Sequence, residues 1–299
     1  MRNTFIRELV KQARENDNIA LIVGDLGFSV VEPFSDEFPD RFINAGVAEQ
    51  NMTGIAAGMA SEGYHVFTYS IANFPTFRCA EQIRNDIDYH NLPVTIVSVG
   101  GGLVYGNLGY SHHAVQDYAL LRSMPNMLIV APGDSLEVKA CLRFLIANPQ
   151  PSYLRLGKTV ESSFHTNVPE VKPGHWLEVS TQGKQEQVIL STGGTLAQAM
   201  IWRQNTRRFK LYSVCSLPLW GMSYKADQIL QVKEVQKLVI LEDHLLDGGF
   251  ASWMLEAVVG QPELLGRIAP RALSEKICGM VGTQKMLETE GGIRSIELP

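Results

Sequence analysis

Short apolar runs alternate with windows of helical period along the first half of the chain. "IALIVG" (19–24), "VFTYSI" (66–71), "VTIVSVG" (94–100) and "MLIVAPGD" (127–134) are rich in Val and Ile and end in turn residues. Strands buried on both faces of a parallel sheet read this way. Between them lie the charged, amphipathic N-terminal stretch "MRNTFIRELVKQARENDNIA", the stretch "INAGVAEQNMTGIAAGMA" (43–60) and a segment from about Phe77 to Asp88, each predicting a helix. "PGDSLEVKACLRFLIANPQP" predicts another, with Asp134 and Ser135 as N-cap candidates, and "SYLRLGK" predicts a further strand. The pattern is that of an α/β fold, a parallel sheet with helices on both faces.

From about Thr159 to Gln185 the period is lost, and Ser, Thr, Pro, Gly and Lys take over, as in a linker. A second α/β series follows with "QVILSTGG", "FKLYSVCSL", "KLVILED" and a helix from about Gly249 to Val258. The expected organisation is therefore a domain over 1–160, a linker over 161–185 and a second domain over 186–299, with no internal repeat and no low-complexity tail.

Composition narrows the class. The chain has 299 residues, 45% of them hydrophobic, and a net charge of -5, which fits a soluble globular protein of about two domains. No run approaches the roughly 20 apolar residues of a membrane span, and the charged N-terminus does not read as a signal peptide, so a cytoplasmic protein without membrane attachment is expected. Mild acidity and the lack of a basic cluster argue against nucleic acid as a partner. Cys79, Cys141, Cys215 and Cys278 are widely spaced without a CxxC pair and read as reduced, buried thiols.

Most candidate motifs have ordinary explanations. "SVGGGLVYGNLGYSHH" follows a strand, but Gly100, Gly102 and Gly106 break the dinucleotide-binding spacing, and no acidic ribose partner follows. A tightly turning loop beside a site fits it better. His112 and His113 have no acidic companion at ligand spacing, so hydrogen bonding or acid–base work suits them better than metal. No GxSxG elbow is present. "STGGT" (191–195) and "EDHLLDGGF" (242–250) could cradle an anion or simply turn into helices. Glu49 stands apart, because Ala45, Ala48, Met52 and Ala56 surround it at helical spacing and no Lys or Arg lies within seven residues on either side. Two readings stay open: a buried acid without a cation, held neutral because its proton is used, or a surface glutamate at a helix N-terminus.

"FINAGVAEQNMTGIAAGMASEG", "EQIRNDIDYHNLPV", "GYSHHAVQDYALLRSMPNMLIVAPGDSLEV" and "PSYLRLGK" together resemble the C-terminal half of transketolase, especially the split form made of two polypeptides. The likeness is strong from about Gly24 to Lys158 and weaker through "VILSTGGT", "LEDHLLDGGFAS" and "GTQKMLE". It implies a thiamine diphosphate enzyme with a pyrimidine-binding domain followed by the family's C-terminal α/β domain. Glu49 would hydrogen-bond N1′ of the aminopyrimidine and so promote loss of the thiazolium C2 proton. Phe74 and Phe77 would stack on the pyrimidine, with Ile71 in place of a third aromatic residue. Asp25 and Ser29 in "GDLGFS" match the family's "ADLTPS" loop, whose serine contacts substrate phosphate. His112 matches a histidine beside the reacting carbons, and His113, Leu108, Arg155 and Lys158 fall at substrate-binding positions.

The departures from the pattern concern substrate. Gly100 replaces a histidine that lies near the phosphate, Asn107 and Leu108 replace an acidic pair that reads an acceptor hydroxyl, His113 replaces a glutamine, and Lys158 replaces a phosphate-binding arginine. The resemblance thus implies a two-carbon ketol transferase acting on an unusual sugar, possible substrates including deoxygenated or nucleotide-linked ones. No "GDG" motif, the family's Mg²⁺ and diphosphate anchor, occurs in the sequence. The resemblance therefore implies a partner subunit that carries the N-terminal half and the Mg²⁺, in an α2β2 assembly. The alternatives are a 2-oxoacid dehydrogenase β subunit, a pyruvate-using deoxyxylulose phosphate synthase-like enzyme, or a non-catalytic assembly subunit.

Overall fold

The computed structural model describes residues 1–157, 163–181 and 186–294. Two sheets organise them. The first uses β1 (Ile19–Val23), β2 (Phe42–Asn44), β3 (His65–Ile71), β4 (Val94–Val99), β5 (Leu128–Val130) and β6 (Ser152–Leu156), the second β7 (Leu177–Ser180), β8 (Gln187–Ser191) and β9 (Ser213–Ser216). Then β10 (Leu219–Trp220) returns to the first sheet, and β11 (Lys237–Leu245) and β12 (Ile268–Leu273) complete the second.

The seven-stranded sheet has the order β10-β5-β6-β4-β3-β1-β2 and is parallel except where β10 joins β5. Its central strands are buried along their whole length, as the continuous apolar runs require. One face is covered by the helices Arg2–Glu15 and Ser135–Ala147, whose Phe5, Leu9, Val138 and Leu142 share a core with Leu21, Phe67 and Val97. The other face is covered by the helix Glu49–Ser61, whose Met52 and Ala56 pack with Ile22, Val66 and Ile96. Asp134 caps the helix Ser135–Ala147 by accepting from the amides of Leu136 and Glu137 at 2.9 and 2.8 Å, which stabilises such a start by about 1 kcal/mol.

Two expectations change. The segment Phe77 to Asp88 is not one α-helix: short turns at Phe74–Phe77 and Ala80–Gln82 lead into a π-helix at Ile83–Asp88. Pro75 sits at the start of the first turn, where its missing N–H costs nothing. The region 161–185, expected as a linker, contains β7, which pairs antiparallel with β9. The alternation in "WLEVS" is hidden by its Ser- and Gly-rich flanks, and the Trp176 indole is anchored on Gln228 at 2.8 Å.

β10 ties the two series together. Trp220 is fully buried, donates from its indole to Thr192 at 3.1 Å, and packs its ring 5.1 to 5.3 Å from Tyr118, Phe250 and Trp253. One apolar core therefore runs from Met52 and Ile96 through Tyr118 and Trp220 to Trp253.

Candidate active site

Because β1, β3 and β4 run parallel, the segments leaving their C-terminal ends lie side by side. These segments carry Gly24 to Ser29, Ile71 to Arg78 and Gly100 to His113, and open α/β sheets place their ligands at this edge. Glu49 is the first residue of its helix and is only 3% exposed. The premise that no cation accompanies it holds along the chain and fails in space. Arg78, 29 residues away, donates to its Oε2 at 3.1 Å, while Ser70 Oγ donates to Oε1 at 3.4 Å. The helix begins at Glu49, so Ala45 and Ala48 precede it and Ala48 is exposed; Met52 and Ala56 form the buried floor.

Arg78 links the acid to the aromatic residues. Its guanidinium carbon lies 4.2 Å above the Phe74 ring, and the other side of the cluster is His112, whose ring meets Phe74 edge-on at 5.2 Å. Phe77 is 48% exposed and Ile71 half-buried. Ser111 Oγ lies 3.0 Å from His112 Nδ1, an arrangement that fixes the ring and leaves Nε2 for another partner.

The two adjacent histidines have different environments. His113 is 1% exposed, its Nε2 lies 3.5 Å from the Gly106 carbonyl, and its Nδ1 has no partner among the described residues. Burial pushes this imidazole below its usual value, the Gly106 carbonyl opposing. The resemblance places His113 at a substrate position; its ring lies in the interior, and its backbone carbonyl is held by Asn73 Nδ2 at 2.7 Å.

Asp25 and Ser29 sit in left-handed backbone at φ 54 and 64 on an exposed turn. Asn44 holds this turn by accepting from the Asp25 amide at 3.1 Å and donating to the Asp25 carboxylate at 3.0 Å, and the Ser29 amide donates to Glu32 at 2.7 Å. Leu108 is 57% exposed at the tip of the glycine-rich loop. Tyr105 escaped the sequence reading. Its ring occupies the space a side chain at Gly100 would need, and Gly100 has φ +89. The signal lay in Gly100 itself, a position where bare backbone and a bulky neighbour go together.

Arg155, which the resemblance places at a substrate position, is bound to other groups of the chain. It is 3% exposed, pairs with Asp117 at 2.7 Å and Asp243 at 2.6 Å, and stacks its guanidinium 4.5 Å over Tyr118. Its donors are spent joining the two sheets. Lys158 lies outside the described residues.

A family model described as transketolase, pyrimidine binding domain, matches residues 1–160. The chain belongs to the transketolase family. It is 26% identical over 295 residues to one of the subunits of the apulose-4-phosphate transketolase of Actinobacillus succinogenes, covering 97% of this chain and 93% of that protein. It is 30% identical over 275 residues to the 1-deoxy-D-xylulose-5-phosphate synthase of Clostridium perfringens strain SM101, of which it spans 44%. A solved structure described as "Split gene transketolase, inactive beta4 tetramer" superposes with a TM-score of 0.83 at 26% identity, covering 98% of this chain and 93% of that one.

Transketolase membership implies dependence on thiamine diphosphate, and the residues present fit one half of that cofactor. A buried carboxylate, joined through Arg78 to the face of Phe74, suits a flat, nitrogen-bearing ring. Among the described residues no cluster of His, Cys, Asp and Glu is arranged to hold a metal ion, and no helix is long and apolar enough to cross a membrane.

Proposed function

We propose that the chain is the C-terminal-half subunit of a two-polypeptide transketolase-like transferase that moves a two-carbon ketol unit from a ketose to an aldehyde or modified sugar. The observation that carries this reading is Glu49, 3% exposed at the start of its helix, with Phe74 and His112 grouped beside it at the strand ends. When bound, thiamine diphosphate supplies a carbon nucleophile for the transferred unit. Glu49 would share a proton with N1′, a task suited to a carboxylate screened from water. Phe74 and Phe77 offer their faces to the pyrimidine, beside Ile71. His112, fixed by Ser111, exchanges a proton with the substrate oxygen. Asp25 would contact the cofactor and Ser29 the substrate phosphate from their exposed turn, and Leu108 presents an apolar surface where the resemblance places an acid.

The diphosphate and Mg²⁺ would be held by a partner subunit of the N-terminal half, in an α2β2 complex. Support comes from the apulose-4-phosphate transketolase relative, itself one subunit of its enzyme, and from exposed apolar side chains: Val47, two residues before the acid, is 75% exposed, and Phe77, next to the acid's partner Arg78, is 48% exposed. The test is to purify the tagged chain from its own cells and measure bound thiamine diphosphate. Cofactor recovered together with a second chain carrying a GDG motif supports the reading; a chain that never acquires cofactor with any such partner, Mg²⁺ and thiamine diphosphate overturns it. Rapid turnover of xylulose 5-phosphate with ribose 5-phosphate would remove the unusual-sugar part.

A pyruvate donor is the second reading, favoured by the Clostridium perfringens relative and by the apolar Leu108. Release of CO₂ during turnover would select it.

A further inference from the structure

The contacts around Glu49 point to a residue whose role lies outside that scheme. Three features meet at the Arg78 guanidinium. It is planar, it donates to the Glu49 carboxylate at 3.1 Å, and it lies 4.2 Å over the face of Phe74. The aminopyrimidine proposed for this site would make the same two contacts, a nitrogen on the carboxylate and a flat face on the aromatic ring. The Arg78 side chain is 51% exposed while that of Glu49 is 3% exposed, so the guanidinium can swing outward and the acid cannot follow.

We propose that Arg78 is a positioning residue that holds Glu49 in its binding orientation and is exchanged for the pyrimidine when cofactor enters. This inference rests on the assignment of Glu49 to thiamine diphosphate. The exchange has a physical rationale. A carboxylate this buried needs a hydrogen-bonding cation or ring beside it, and Arg78 meets that need from a half-exposed position. The cost is competition: the fraction of molecules with Arg78 on Glu49 lowers the apparent affinity for cofactor in proportion.

Competition makes a prediction that ordinary structural damage does not. The experiment is calorimetric titration of thiamine diphosphate, with Mg²⁺ present, into the cofactor-free complex of this chain and its partner, together with stopped-flow association rates. Arg78→Gln should bind cofactor roughly three- to tenfold more tightly and associate faster, because the competitor is gone. Arg78→Lys should fall between wild type and Arg78→Gln, since an ammonium pairs with Glu49 but does not lie flat on Phe74. If wild type binds cofactor and both variants bind it equally or more weakly, the exchange is wrong and Arg78 is an ordinary ion-pair partner. A wild-type complex that binds no cofactor would remove the assignment of Glu49, and the exchange with it.

Discussion

Tyr105 lies across Gly100 so closely that any side chain at position 100 would overlap its ring. With φ +89, Gly100 also holds a backbone conformation that favours glycine. The loop thus trades a side chain at one position for a phenol projected from five residues on.

Restoring a histidine alone should fail. Gly100→His should destabilise the protein by about 1–3 kcal/mol through overlap and backbone strain, seen as a lowered midpoint in urea unfolding. Tyr105→Ala combined with Gly100→His should recover part of that loss and alter KM for the donor more than kcat.

Glu49→Gln should leave the fold intact, because the amide keeps the shape of the acid and can still accept from Arg78. It should lower kcat of the assembled complex by about 10²–10⁴-fold, the usual contribution of a positioned proton-transfer group. Unchanged steady-state rates would remove Glu49 from the chemistry.

The neighbouring histidines should separate by assay. His112→Asn should cut kcat by about 10²-fold with little change in thermal midpoint. His113→Asn should act in the opposite sense, lowering the midpoint while leaving kcat within a few-fold. A reversal of the two results would place the proton on the interior ring.

Stability should fall as pH rises from about 4.5 to about 8 because of Glu242. Burial pushes this carboxylate from 4.5 up to about 8, against the amides of Phe250 and Ala251 that donate to it. The folded protein thus keeps a proton that the unfolded chain releases near pH 4.5. The stabilisation is complete below that value and is lost as pH rises through the folded-state value. Urea titrations of wild type and Glu242→Gln across this range should show a shallower slope for the variant.

Arg155→Met should cost about 3–5 kcal/mol, because Asp117 and Asp243 would be left buried without their cation. Adding Asp117→Asn and Asp243→Asn should recover much of it, as measured by differential scanning calorimetry.

Local pattern carried the first sheet, since apolar runs and the Asp134 cap act over a few residues. It did not carry β10, two residues long, whose only reason to be a strand is the open edge of β5. Nor did it carry Arg78, because a cation 29 residues away leaves no trace in the neighbourhood of Glu49. The resemblance brought Glu49, Phe74 and His112 to attention, and the structure groups them. It also nominated Arg155 and His113, whose burial sequence alone did not reveal, since a charge paired between two sheets leaves no local trace.

The strand borrowed by the first sheet limits how such an enzyme can be divided. β10 covers the β5 edge and brings Trp220 into a core shared by both series. A cut near residue 160 would bare the hydrogen-bonding edge of Leu128–Val130 and leave Tyr118 without its indole neighbour, inviting edge-to-edge association. A break inside this chain would yield two sticky fragments.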